Sequence, residues 1–412
     1  MAMEIGLTSK FNLSTGRSAM LTLMLCIVWA YMLSGYWRGI INHLPVLQDY
    51  TDEIEYAYFA VPVLLALPTL LNKFSLLDYL LYMVLLLYYL SCYIFFPENK
   101  EYLNENFFPC LCCVYTFYFI GRIIDIDSMF DIFTYLSAFC ILMNLFYYLV
   151  YAPDQKNMEE VANDDNMYVA YRALPHVAML LWATFNKFKF WKAILTFFGF
   201  MFLLSCGTRG PLVCLGVFGL IYFFFYMNFK GAIFVKAGLI FFSLVILANM
   251  RTIALAIARI FLEMQLSTRI LQKFVAGELS NDTYRSVLRD KLYEVLDSGN
   301  HLFGLGLFGT NNYNIAYPHF LPLDIWCTYG YLFGSLLLLL LVFLIGYALW
   351  ISRGTKSQIF ILLLCSISIV KLMFSATFVS EPFLYLLIGF CIKQLFSHSM
   401  QQTRESTQPC LN

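Results

Sequence analysis

Residues 328–351 read TYGYLFGSLLLLLLVFLIGYALWI, a stretch without a single Asp, Glu, Lys or Arg. A helix needs about 20 apolar residues to cross the roughly 30 Å hydrocarbon core of a bilayer. This stretch is long enough and apolar on every side, so it has no polar face to turn toward water. Lipid is the solvent that suits it. The rest of the chain agrees: 61% of its residues are hydrophobic and 13% charged, against about half and a quarter in soluble domains. A water-soluble fold of this composition would expose large apolar patches.

Working outward from 328–351, further apolar stretches fall at 18–36, 56–72, 76–96, 107–122, 130–151, 168–186, 190–206, 211–229, 233–250, 358–376 and 382–397. Together they predict an all-α integral membrane protein of about 12 transmembrane helices, read as one domain over 1–412. Lys10 and Arg17 precede the first stretch as in a signal peptide, but no small-x-small cleavage site follows, and a retained helix is expected. The net charge is zero, with 26 basic and 26 acidic residues, so no nucleic-acid footprint is present.

The short connections carry a charge asymmetry. Lys73, Arg122, Lys187, Lys189, Lys192, Lys230, Lys236, Arg353, Lys356 and Lys393 fall on one side. Asp49, Asp52, Glu98, Glu101, Glu105, Asp154 and Glu159 fall on the other. The positive-inside rule makes the basic side cytoplasmic, puts both termini there, and leaves 251–327 as an external loop. Within that loop, apolar residues recur at helical spacing from Arg251 to Ala276, and a second helix is expected from about Asn281 to Leu296. Of 12 cysteines most lie inside apolar runs, where Cys packs as a small hydrophobe. Cys110, Cys112 and Cys113 cluster, but no partner pair follows at zinc spacing, so packing is expected and no metal.

Ionisable groups near membrane depth are costly and mark functional sites. In Gly207-Thr208-Arg209-Gly210-Pro211, the Arg sits in a tight turn between two spans. It either offers a fixed fork to phosphate oxygens, helped by the amides of the next helix, or snorkels to the headgroups. Arg285 and Arg289, four apart, share a helical face that suits either a diphosphate or plain solvent. Gly304-Leu305-Gly306-Leu307-Phe308-Gly309 spells the dinucleotide-binding pattern. It lacks the strand before it and the helix after it, so a tight packing loop is expected instead. His319, ahead of the 328–351 stretch, is either a proton-transfer group or structural. Asp324, Glu381 and Arg172 are further charged candidates near the external side.

Taken in order, these features resemble the O-antigen polymerase and O-antigen ligase superfamily of bacterial membrane glycosyltransferases. That family ends one span with Ser-Arg-Gly, and this chain has Thr208-Arg209-Gly210. It follows with an Arg some 18 residues before a Gly-x-Gly turn; Arg285 lies 19 before Gly304. It then shows His-Asn with a Gly eleven on; here His319 is followed by Phe320, and Gly330 stands eleven on. The likeness covers about 205–345, roughly a third of the chain. Thr208 and Phe320 depart from the pattern, and Phe320 removes the polar companion of the His.

The resemblance implies a bundle like that of GT-C glycosyltransferases and a donor glycan on a polyprenyl diphosphate, presented outside the bacterial cytoplasmic membrane. It implies Arg209, Arg285, Arg289 and, more distantly, Arg172 as diphosphate-binding residues, and His319 as catalytic base, with no cofactor. Tyr50, Tyr56, Tyr102 and Tyr168 would stack on sugars. A chain-length regulator is an expected partner, alongside the bilayer and the lipid-linked oligosaccharide. A repeat-unit polymerase is the favoured activity. A ligase acting on a lipid A core sugar and a lipid-linked oligosaccharide flippase are the alternatives.

Overall fold

A computed structural model of the chain describes residues 75–155, 162–206, 208–226, 249–263, 283–300 and 302–407, with 22, 25, 46–50, 54, 236–237 and 275 besides. Those residues are helical throughout, joined by turns. The spans expected at 18–36, 56–72 and 233–250 lie almost wholly outside them. Among the described residues there are eleven α-helices: α1 Leu76–Phe95, α2 Lys100–Ile123, α3 Ile126–Gln155, α4 Ala162–Asn186, α5 Phe190–Ser205, α6 Arg209–Ile221, α7 Met250–Glu263, α8 Thr283–Val295, α9 Leu321–Ile351, α10 Lys356–Cys365 and α11 Pro382–Thr407. Among the described residues, four stretches are long and apolar enough to cross a membrane: Leu76–Phe95, Ile126–Phe146, Arg209–Tyr226 and Leu321–Ile351. Phe190–Ser205, Lys356–Val370 and Pro382–His398 are shorter apolar helices.

The decisive stretch forms α9, and its flanks are bare. Leu332, Leu336, Leu339, Leu340, Val342 and Phe343 all stay exposed. Water would penalise each of them by about 1.5–3 kcal/mol relative to burial, whereas a bilayer solvates them. The helix begins seven residues earlier than the apolar run, because Pro322 fits its first turn and Gly330 absorbs a bend at φ 78°. Residues 321–327, expected in the loop, are therefore helical.

Inside the bundle, aromatic rings bind α3, α4, α10 and α11. Phe130 meets Trp182 at 4.7 Å edge to face, Trp182 stacks near Phe360, and Phe360 meets Phe390 at 5.0 Å. The α2 and α11 backbones touch where Gly121 faces Leu386 and Gly389 faces Tyr118; a Cβ at either glycine would strike a carbonyl oxygen within 2.3 Å. Small residues that let backbones meet are the usual means of holding helices together in lipid, where the hydrophobic effect gives little help.

Charged contacts gather at one end of the bundle. Ser75 caps α1 in a capping box with Asp78, which also takes the Arg122 guanidinium at 2.8 Å and the Tyr118 hydroxyl at 2.5 Å. Lys393 reaches the Ile124 carbonyl, Lys356 pairs with Asp127 at 3.5 Å, and Lys192 donates to Ala183. These are the turns read from sequence as the basic side.

The opposite end is tied by amide contacts. Asn99, fully buried between α1 and α2, donates to the carbonyls of Leu305 and Leu307 at 2.8 and 3.1 Å and accepts from Asn312. The glycine loop is thereby pinned to the α1–α2 turn. Gly304 and Gly330 face each other so closely that a Cβ on Gly330 would lie 2.1 Å from the Leu302 carbonyl oxygen. Beside the bend, the carbonyls of Cys327 and Thr328 accept from the Leu305 amide at 2.6 Å and the Tyr88 hydroxyl at 2.9 Å. This loop packs against a helix and has no room for a nucleotide at its glycines.

Candidate active site

The Arg209 turn is built by helix ending and helix starting. α5 stops at Ser205, and α6 starts at Arg209 with Thr208 at the cap in extended conformation. The Thr208 hydroxyl makes no capping bond, so no side chain of the cap takes up the first-turn amides. Gly210 is required by a neighbour: a Cβ there would lie 1.8 Å from the Tyr171 hydroxyl oxygen. Tyr171, on α4 and 8% exposed, thus lies across the start of α6.

Three groups surround that ring. The Lys371 ammonium stands 5.1 Å from its centroid, a cation–π contact. Lys371 itself is ion-paired with Glu381, whose side chain is 1% exposed. The Ser375 hydroxyl lies beside the Tyr171 hydroxyl, and the charge of Arg285 acts on it through space. The first turn of α6 therefore packs on one tyrosine of α4, whose hydroxyl also feels the charge of Arg285 on α8. Sequence reading passed over Tyr171 and Lys371 and left Glu381 undecided. The only available signal was ionisable residues at the ends of apolar runs.

The basic pair on α8 divides. Arg289 donates from Nε to the Arg285 carbonyl at 3.3 Å and so lies back along its own helix, whereas the charge of Arg285 acts on Tyr171. A four-residue spacing puts Cβ atoms on one face, but the long side chains then part. Arg172 follows Tyr171 on α4 and is half-buried.

His319 approaches the same region from the start of α9. Its backbone is left-handed at φ 55°, and its Nδ1 lies 3.1 Å from the Phe374 carbonyl oxygen. A carbonyl only accepts, so Nδ1 carries the hydrogen and the ring's lone pair sits on Nε2. Tyr317 packs edge-on to the imidazole with centroids 4.4 Å apart. Phe320, where the resembled family has Asn, serves as the N-terminal cap residue of α9 without a side-chain hydrogen bond.

The segment 371–381 thus touches His319 through Phe374 and Tyr171 through Lys371. Asp324 holds it in place: buried at 6% exposure, it accepts the Phe378 amide at 2.9 Å. Asp324, noted in the sequence as an external acid, is an anchor for this segment. Among the described residues, no three His, Cys, Asp or Glu side chains stand close enough to hold a metal ion.

The fold and site together define a helical protein suited to a bilayer, with cationic side chains converging at one end of the bundle. Comparison of the chain with family models, with curated proteins and with solved structures gave no match.

Proposed function

We propose that this chain is a membrane glycosyltransferase that joins lipid-linked oligosaccharide repeats, taking its donor glycan from a polyprenyl diphosphate. The single observation that carries the reading is the packing of the Arg209–Gly210 turn on Tyr171, whose hydroxyl also feels the charge of Arg285. The sequence-level likeness to the O-antigen polymerase and ligase superfamily rests on those two arginines and His319.

In this reading the acceptor hydroxyl oxygen attacks the anomeric carbon. The bond from that carbon to the diphosphate oxygen breaks, and its electron pair leaves with the diphosphate. Fixed guanidiniums hold the charge that builds there without metal help. The hydroxyl proton passes to Nε2 of His319, the nitrogen that carries no hydrogen when Nδ1 donates to Phe374. The basic turns face the cytoplasm, about 12 helices span the membrane, and the transfer takes place at the outer leaflet.

A ligase acting on a lipid A core sugar would use the same groups. A lipid-linked oligosaccharide transporter is the second reading, favoured by the pairing of Lys371 with the buried Glu381, since charges inside a bundle also mark transport paths. Purified protein given a polyprenyl-diphosphate-linked oligosaccharide separates the three. Lengthened lipid-linked glycan with released polyprenyl diphosphate supports the polymerase. Products formed only when lipid A core is added identify the ligase. Transbilayer movement without a new glycosidic bond identifies the transporter.

A further inference from the structure

The Lys371–Glu381 pair is not explained by stability. Removing two charges from water costs several kcal/mol per ion, and a buried pair is often matched or bettered by apolar residues of similar volume. Here the balance is poorer than usual. One Glu381 oxygen binds Lys371, while Oε1 is buried and makes no hydrogen bond.

What the pair does accomplish is geometric. Glu381 precedes α11 and holds the Lys371 ammonium; that ammonium caps one face of the Tyr171 ring. The Tyr171 hydroxyl in turn occupies the space over Gly210, next to Arg209. The path Glu381–Lys371–Tyr171–Gly210 links the segment after α10 to the first turn of α6 through an ion pair, a cation–π contact and a close packing contact. Each link is directional: the ion pair fixes the ammonium, the ammonium fixes the ring plane, and the ring fixes how closely the turn approaches.

We propose that Lys371 and Glu381 are positioning residues that set the Arg209 turn through Tyr171. The proposal rests on the glycosyltransferase reading for its kinetic consequence, though not for its structural one. Neither residue touches the reacting atoms. Releasing the tyrosine lets the Arg209 guanidinium shift against the diphosphate, and a displacement of about 1 Å can cost about 10²-fold in rate.

The test replaces both charges together, Lys371→Met with Glu381→Met, so that no single buried charge is stranded. The expected result is a protein with wild-type membrane abundance and melting temperature, its turnover down by about 10²-fold and its KM for the acceptor unchanged. In an Arg209→Lys background the same pair of substitutions should cause little further loss, because both act through one group. Independent losses that multiply, or full turnover in the double variant, would overturn the proposal.

If the double variant is not recovered in the membrane, Tyr171→Leu breaks the same path without touching a charge and carries the same expectations. A second measurement needs no enzymatic activity. A nitroxide placed at Thr208→Cys, in a protein whose native cysteines are replaced by Ser, should become more mobile in the double variant or with Tyr171→Leu. An unchanged spectrum would sink the positioning role even if glycan transfer is established. A loosened spectrum in a protein that transfers no glycan would sustain the positioning role and discard the glycosyltransferase reading alone.

Discussion

The imidazole Nδ1 of His319 donates to the carbonyl of Phe374 across 3.1 Å, joining the start of α9 to the segment that follows α10. That bond selects one neutral tautomer and directs the remaining lone pair to Nε2. A backbone carbonyl contributed from 55 residues away thus orients the ring. The absence of a polar side chain at Phe320 does not leave the imidazole unsupported.

His319→Gln keeps a hydrogen bond to Phe374 but supplies no base. Turnover should fall by about 10²–10⁴-fold, nearly as far as with His319→Ala. Membrane abundance should stay level. Because the neutral imidazole is the acting form, the wild-type rate rises with pH over its acid limb, and that limb should vanish in the Gln variant. Measured transfer from a lipid-linked donor across pH decides it; robust transfer by His319→Gln would remove the residue from the mechanism.

Arg285 and Arg289 should behave differently despite their shared face. Arg285→Lys keeps a positive charge but loses the planar fork, and turnover should drop by about 10²–10³-fold. Arg289→Lys loses a bond to its own helix and should stay within a few-fold of wild type. Equal losses in the two variants would show that the helix presents both arginines to the donor.

Gly330→Ala should be severely destabilising, since the residue stands at φ 78° and an added Cβ would meet the Leu302 carbonyl at 2.1 Å. Gly346→Ala, in the same helix with nothing within 4 Å of the added carbon, is the control and should be neutral or slightly stabilising. Thermal melting in detergent, read as the difference between the two variants, tests whether the glycine loop and the α9 bend form one packed unit.

The loop between α8 and α9 should face away from the basic turns. A single cysteine at Asn300→Cys, in a protein cleared of native thiols, should react with a membrane-impermeant reagent on intact cells whose outer barrier has been made permeable. Reaction only after the cytoplasmic membrane is opened would reverse the orientation and relocate the site to the cytoplasmic face.

Composition and period were enough to read the helical class and the need for a bilayer. A run such as 328–351 has no polar face, and only lipid solvates it. The glycine pattern at 304–309 was also legible as a packing loop, because the strand that a dinucleotide site requires is absent from the sequence around it. What lies beyond sequence is where long side chains end. Arg285 and Arg289 look equivalent at a spacing of four, yet Arg289 folds back to bond the Arg285 carbonyl of its own helix. Tyr171 was one aromatic among 29 tyrosines, and nothing in its neighbours announced it. Its role follows from contacts with Gly210, 39 residues on, and Lys371, 200 residues on. Lys371 reads as part of the expected span 358–376 and Glu381 as one external acid among several, and only the tertiary packing pairs them, with Glu381 buried. Local sequence sets which helices form and which solvent they need. Convergence of residues far apart in the chain is a property of how those helices cross, and only the tertiary structure decided it.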